Sequence, residues 1–291
     1  MEQKLEAFKG IKVNSLRREL EIPDPTFLRT AKNVVVGNDG SLYAHTGNII
    51  RSNPSADLHR VFYSKALNRY LTANGRTGDI KVYSIDVNGA WSVTATHAAK
   101  VPEGSTAALA VPFTVQLADW ALTSAAYMIS NSGTDMQKLT TNGTTIAAVA
   151  LGGTISPPTV MCVHKDTLWL AKGNVLYPSD DLTPETFDTA NSITISKGET
   201  YITGLASMGG VLYVHKWDCI TAIIGDTFVG TSADVALVDV DVSVGTIGPD
   251  ALKVFRGMQW FQGPGGYYVF NGEKTKLLSD RLLLQPIRKL A

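Results

Sequence analysis

Apolar and polar positions alternate along most of this chain in short runs, without the three-to-four spacing of a surface helix. ALVDVDVSVG is the plainest run: Val238, Val240, Val242 and Val244 fall on one side and Asp239, Asp241 and Ser243 on the other. A period of two marks a strand with one face covered. NVVVGNDGSLYAH sets two such strands about an Asn-Asp-Gly turn, a strong hairpin signal. From Asn33 almost to the end, strands alternate with Gly, Asn, Asp and Pro turns, and no long stretch carries the helical period. The pattern predicts an all-β fold.

One unit recurs: a short apolar strand around an aromatic residue, a Gly or Asn turn, and a second aromatic strand. The copies are LNRYLTANGRTGDIKVYSI, AAYMISNSGTDMQKL, TLWLAKGNVLYPS, GVLYVHKWDCITAII and GMQWFQGPGGYYVF. Anchored on Tyr70, Tyr127, Trp169, Tyr213 and Trp260, they step by 57, 42, 44 and 47 residues. A period of roughly 40–50 residues with about four short strands per unit is the mark of a β-propeller. The long first step places an insertion within Ala90–Leu122. Five blades are predicted, with strands near Leu42–His45 and from the C-terminal end available to complete a sixth or close the ring.

Residues 1–30 break this period. Leu5, Phe8, Ile11, Leu16 and Leu20 are irregularly spaced, and Pro23 and Pro25 exclude a continuous helix. The segment reads as an extended arm, with one helical turn around Ser15–Leu20 at most. Such an arm cannot bury its own apolar residues, so a neighbouring surface is expected to take them. Phe8, Ile11, Arg17, Arg18, Pro23 and Arg29 are its candidate subunit contacts. The expected domains are the arm over 1–30, the propeller over 31–280 and a tail over 281–291.

Charge changes the picture more than composition does. The 291 residues carry 26 basic and 26 acidic side chains and no net charge. A surface that grips phosphates broadly shows a basic excess, so tight DNA binding is not expected. The charges are segregated, however. Basic residues crowd the arm and the last residues, whereas Asp218–Asp250 is acidic, with no Lys or Arg between Lys216 and Lys253. Complementary ends and middle suit contacts between subunits. Two cysteines are too few for a disulfide framework. No apolar run reaches the length of a membrane span, and the N-terminus lacks the apolar centre of a secretory signal.

Candidate chemistry is sparse. Cys162-Val-His164 and His215-x3-Cys219 make a Cys2His2 inventory suited to zinc, although neither spacing is a known knuckle and free cysteines commonly pack as small hydrophobes. Asp180-Asp181, Asp239/Asp241 and Asp24 are the carboxylates for glycosidase-type acid and base work. The first pair sits in a turn and the second has the spacing of a solvated strand face. Trp169 with Lys172, and Tyr213 with Lys216 and Trp217, could stack single-stranded nucleic acid; core aromatics on alternate positions explain them as well. No nucleophile elbow, phosphate-binding glycine loop or HExxH helix is present, and no metal or cofactor is expected.

Several stretches carry a family likeness. Gly10-Ile-Lys-Val-Asn14, Glu21-Ile-Pro-Asp24, Leu28-Arg-Thr-Ala31-Lys-Asn33 and Asp39-Gly40-Ser-Leu42 resemble the opening of bacteriophage tail propeller proteins. The family's arginine-rich, proline-glycine ending is replaced here by Tyr43-Ala-His45-Thr46-Gly47. Leu168-Trp169, Gly173-Asn174, Tyr177, Ser179-Asp180, Leu182-Thr-Pro184-Glu185 and Phe187-Asp188 match one of its blades more fully. Ile202-Thr203-Gly204-Leu205, Gly210-Val-Leu-Tyr213, Gly245-Thr-Ile-Gly248-Pro249, Trp260, Gly265-Gly266, Phe270 and Gly272 continue the order. The resemblance spans about three quarters of the chain.

It implies a virion component of the neck or tail, similar to the nozzle and packaged-DNA stabilisation proteins of short-tailed phages, assembled in the host cytoplasm. It also implies a homo-oligomeric ring, commonly of six copies, below portal and adaptor proteins. Genomic DNA would pass through without sequence-specific binding and without catalysis by the protein. A neutral or acidic wall lets DNA slide, so Asp234, Asp239 and Asp241 are the channel-lining candidates. The alternative reading is a carbohydrate- or receptor-binding propeller of the tail tip.

Overall fold

The structure is a computed structural model that describes residues 10–11, 27–28, 34–36, 42–44, 58–74, 78–85, 91–98, 100, 114–130, 135–180, 182–198, 200–225, 235–241 and 243–278. The chain divides into two units, Met1–Asn53 and Pro54–Ala291. In the first, β1 (Gly10–Ile11) pairs in parallel with β2 (Phe27–Leu28), and β3 (Val34–Val36) pairs antiparallel with β4 (Leu42–Ala44). The second pair is the hairpin that NVVVGNDGSLYAH predicts, with Val35 opposite Tyr43. It forms a two-stranded sheet of its own.

The second unit is a β-propeller. Its described residues build five four-stranded antiparallel sheets, each in simple up-and-down order. The first contains β5 (Leu58–Ser64), β6 (Arg69–Asn74), β7 (Ile80–Ile85) and β8 (Trp91–His97); the second contains β9 (Val115–Trp120), β10 (Ala125–Ser130), β11 (Met136–Thr140) and β12 (Thr145–Val149). The third holds β13 (Val160–His164), β14 (Thr167–Lys172), β15 (Val175–Pro178) and β16 (Ile193–Thr194). The fourth holds β17 (Ile202–Met208), β18 (Val211–Lys216), β19 (Ile220–Ile224) and β20 (Ala236–Asp241). The fifth holds β21 (Leu252–Phe255), β22 (Met258–Gly263), β23 (Gly266–Phe270) and β24 (Thr275–Leu277). The first strands pack in succession, β5 on β9, β9 on β13, β13 on β17 and β17 on β21, so they are the inner strands. Thr114 Oγ1 donates to Asp250 Oδ2 at 3.0 Å, which brings together the residues leading into β9 and into the helical turn before β21.

The turn chemistry explains why the inner hairpins close tightly. Lys165-Asp166, Gly209-Gly210 and Arg256-Gly257 each join two strands through two residues with positive φ. Positive φ at both central positions is the type I′ turn, whose twist matches that of the strands it joins. Gly-Gly adopts it freely, whereas Lys165 (φ 46°) and Asp166 (φ 55°) hold a conformation that side chains disfavour. Asp166→Gly is therefore expected to stabilise the protein by about 0.5 kcal/mol, read as a higher urea midpoint at unchanged slope. A lower midpoint would contradict the strain argument.

Alternation within each second strand assigns its two faces to two seams. Leu71, Ala73, Ile80 and Val82 of the first sheet meet Val115, Ala126, Met128 and Leu139 of the second. The other face of the second sheet, with Tyr127, Ile129 and Met136, meets Met161, Leu168, Leu170 and Tyr177 of the third. Trp169, Ala171 and Leu176 then meet Ile202, Leu205, Leu212 and Val214. Ala206, Met208, Tyr213 and Ala222 meet Leu252, Phe261 and Phe270. Strands buried on both faces lose the simple alternation, which is why AAYMIS reads as a continuous apolar run yet is one buried strand. The first repeat is out of register with the others: Tyr70 lies tilted against Tyr63 with ring centroids 4.9 Å apart, and Leu71 takes the seam.

The joint between the fourth and fifth sheets gives two of the singled-out motifs a physical role. Between Ile202 and Gly204 the β17–β18 register shifts, and a bulge of this kind re-aims the extra residue. The Thr203 hydroxyl reaches Thr246 O at 2.7 Å and His215 O at 3.2 Å. Ile247 N–H donates to Gln262 O at 2.9 Å and Gly245 N–H to Trp217 O at 3.0 Å. Ile202–Leu205 and Gly245–Pro249 are thus two sides of one seam.

Candidate functional site

Asp239 and Asp241 lie on β20, the outermost strand of the fourth sheet, away from the inner strands that surround the propeller's own axis. Asp239 forms an exposed ion pair with Lys197, Oδ2 to Nζ at 3.5 Å, and its Oδ1 accepts from Thr221 Oγ1 at 3.4 Å. An exposed pair of this kind contributes little to stability. Burial tends to raise the Asp241 pKa, but the neighbouring Thr275 hydroxyl and hydrogen bonds from Ser243, N at 2.9 Å and Oγ at 2.7 Å, outweigh it, and the carboxyl sits below its ordinary value. Asp239 is exposed and Asp241 half-buried on the outermost strand of one blade. Asp234 lies outside the described residues. So do Phe8, Arg17, Arg18, Pro23 and Arg29, while Ile11 pairs with Leu28 in the short parallel sheet of the first unit.

The Cys2His2 inventory is not assembled. Cys162 and His164 share the inner strand of the third sheet, whereas His215 belongs to β18 and Cys219 precedes β19. Each imidazole is engaged elsewhere, His164 Nδ1 with Ser207 Oγ at 2.8 Å and His215 Nε2 with Gln259 Oε1 at 2.6 Å. Burial pushes the Cys162 thiol up to about 12 and the Cys219 thiol up to about 11, the opposite of what a thiolate ligand needs. Among the described residues no three His, Cys, Asp or Glu side chains gather as a metal site.

The remaining carboxylates serve structure. Asp180 closes a tight loop, bridging to Thr183 and donating its N–H to Thr186 O at 2.8 Å; Asp24 and Asp181 lie outside the described residues. Glu185, which the sequence places only within a motif, accepts from Tyr127 OH at 2.8 Å and from Lys138 Nζ. This ties the long β15–β16 loop to the second sheet. Burial acts to raise the Glu185 pKa, and its bonds from Lys138 and Tyr127 prevail and lower it.

Trp169 and Tyr213 are core aromatics, with Tyr213 edge-on to Phe270 at 5.2 Å. Lys216 is buried and donates to Ile195 O at 2.7 Å, and Lys172 donates to Ser156 O. Neither lysine presents a charge for a phosphate. A shallow depression lined by His164, Lys165, Thr167, Trp169, Ile223, Gly225 and Val235 lies between the third and fourth sheets. Burial, reinforced by the Lys165 charge, lowers the His164 pKa and keeps its imidazole neutral. Among the described residues the other titratable group of the lining is Lys165, whose Nζ donates to Gly225 O at 3.1 Å. No helix among the described residues is long and apolar enough to cross a membrane.

No family model matches the chain, and no curated protein matches it in sequence. Solved structures do. A protein from Lactobacillus plantarum aligns at TM-score 0.53 and 14% identity, over 75% of this chain and 69% of that one. A candidate gluconolactonase aligns at TM-score 0.49 and 14% identity, over 79% and 81%. The β-propeller domain of Cps50 (Swd1) from Myceliophteria thermophila aligns at TM-score 0.48 and 10% identity, over 75% and 72%. Likeness at such identities is one of fold alone.

Proposed function

We propose that this chain is a structural protein of a bacteriophage tail or neck. Copies arranged as a ring, six by expectation, prolong the DNA channel below a portal and adaptor, retain the genome and let it slide out, with no catalytic step of their own. The observation that carries this reading is the ordered likeness of Leu168–Asp188, Ile202–Leu205 and Gly245–Pro249 to tail propellers. In the fold, these stretches are blade and joint elements, so the likeness concerns the scaffold itself. The neutral net charge and the inward engagement of Lys172 and Lys216 agree with a wall that does not grip phosphates. Because Asp239 and Asp241 stand on a blade rim, the channel they would line is one enclosed between copies and not the axis of a single propeller.

Native mass measurement of the full chain, alone and with a phage portal–adaptor complex, tests this reading. A single multiple of the 31.2 kDa protomer on the complex is expected. A mass of one protomer under both conditions would overturn it. The placement of the acidic pair has its own test in Asp239→Lys. In an assembled ring the variant should retard duplex DNA that the wild type leaves free, with a salt slope steeper by about one per copy engaged. Unchanged migration would remove Asp239 from the channel wall.

A further inference from the structure

In the second, third and fourth sheets the second strand is buried on both faces. β10 is buried throughout, and β14 and β18 at all but one position. In the first sheet Leu71, Thr72 and Ala73 are buried in succession. β22 differs. Its burial has a period of two, with Gln259, Phe261 and Gly263 covered and Trp260 39% exposed. β21 is buried only at Leu252, and β24 at none of its residues. Among the described residues the fifth sheet is thus held by its seam with the fourth and by the Thr114–Asp250 hydrogen bond. A blade with one buried face has the least apolar area to lose, so it opens at the lowest free energy.

The same seam holds a half-satisfied polar pair. His215 and Gln259 are fully buried and meet at 2.6 Å, yet His215 Nδ1 and Gln259 Nε2 have no hydrogen-bond partner among the described residues. Such a pair is worse than an apolar contact in its place, and parting the two blades returns its polar atoms to water. Few charges face His215. β17, β19 and β22, which pack on it, carry no titratable side chain. β20 brings Asp241, whose charge acts on the imidazole, and β23 brings Tyr268, stacked on Phe261. Lys253 and Lys276 share the face of Trp260, away from the seam. Lys216, next along β18, is engaged with Ile195 O.

We infer that the fifth blade opens from the fourth while the other seams stay closed, and that a proton on His215 promotes this opening. An open seam gives the imidazole to water, where it takes its proton at the ordinary 6.5 and not at about 4. The closed seam is therefore fully favoured above pH 6.5 and loses ground as the pH falls toward 4. Linkage makes opening about fiftyfold more favourable at pH 4.5 than at pH 7.

Thiol labelling of the full chain with dithiodipyridine, a reagent that works in acid, reads the opening. Ala222→Cys places a thiol in the seam of the fourth and fifth sheets, and Ala171→Cys places one in the seam of the third and fourth. Peptide mass separates either from Cys162 and Cys219. Against a free thiol at the same pH, Ala222→Cys should label at least about tenfold faster than Ala171→Cys. Its rate should rise about fiftyfold from pH 7 to pH 4.5, and adding His215→Gln should remove most of that rise. Equal rates in the two variants would mean that opening is global, and an undiminished rise with His215→Gln would take the trigger elsewhere; either overturns the inference. Hydrogen exchange on the unsubstituted chain stands in should a variant not fold. Amides of β22 should be about tenfold less protected than those of β14 at pH 4.5, and equal protection overturns it as well.

Discussion

Gly245→Ala is expected to lose about 3 kcal/mol of stability or more, the largest effect of adding a methyl at any of the described glycines. A Cβ at Gly245 would overlap Lys216 O and lie 2.6 Å from Cys219 O. Both obstacles are backbone atoms of the β18–β19 turn, held in place because Lys216 N–H donates to Cys219 O at 2.9 Å and Gly245 N–H to Trp217 O at 3.0 Å. Relief requires moving the strand end that carries His215 and Lys216, and with it the seam between fourth and fifth sheets. Two further glycines grade the experiment. A Cβ at Gly204 meets only the side-chain tips Thr246 Cγ2 at 2.7 Å and Leu252 Cδ2 at 2.9 Å. These can shift, so Gly204→Ala should cost less. At Gly153 a Cβ meets nothing within 4 Å, and Gly153→Ala should be within about 0.5 kcal/mol of wild type. Urea unfolding of the three variants supplies the order, and a Gly245→Ala midpoint matching that of Gly153→Ala would refute the close-approach argument.

That gradient bears on what the sequence reveals. Gly245-Thr-Ile-Gly248-Pro249 and Ile202–Leu205 stand out as motifs in the chain, but their meaning is a meeting between residues more than 40 apart, Gly204 against Thr246. Spacing exposes the strands, because alternation and turn residues are local. It does not expose the seam, because the partner of each face comes from the next repeat. The first repeat shows the limit. Tyr70 is the obvious aromatic anchor, yet Leu71 faces the seam, and Tyr70 lies on the other face against the tilted ring of Tyr63 opposite it. Lys165-Asp166 is another hidden feature: neither residue advertises a positive-φ turn, and only the pairing of His164 with Thr167 imposes one.

The candidate site was legible to the same depth. The alternation of Asp239 and Asp241 with valines is visible in the chain, and the strand forms there. Its rank within the sheet is not written in it, since an outer strand and an inner one carry similar alternation, and the place of these carboxylates on the rim emerges only from β19 pairing with β20. Glu185 went unmarked for a related reason. Its partners Tyr127 and Lys138 belong to another blade, and a lone Glu in a Pro-containing loop carries no signal of them. The cysteine and histidine pairs show the converse: types that suit zinc by inventory are parted by topology, each imidazole finding a neutral partner in the adjacent sheet.

One of those imidazoles sets the expected acid sensitivity. His215 is fully buried, edge-on to Phe261 at 5.1 Å, and Gln259 Oε1 at 2.6 Å accepts from its Nε2–H. Its Nδ1 has no hydrogen-bond partner among the described residues, so a second proton would bring a charge with nothing to receive its N–H. Burial lowers its pKa from 6.5 to about 4, against the opposing pull of Gln259 and the Asp241 charge. A base with a depressed folded pKa binds its proton more readily in the unfolded chain. Its share of stability is therefore full above pH 6.5 and falls as the pH drops from 6.5 to about 4. Linkage puts the loss between pH 7 and 4.5 at about 2 kcal/mol. His164, also depressed, acts with the same sign in this window. The depressed carboxyls Glu185 and Asp241 contribute stability that is lost only as the pH falls further, through their own folded pKa values. His215→Gln keeps a hydrogen-bonding side chain beside Gln259 without a titrating ring. Urea unfolding at pH 7 and pH 4.5 should show the variant losing about 2 kcal/mol less than wild type over that interval. An equal loss in both proteins would show that acid acts elsewhere than at the seam between the fourth and fifth blades.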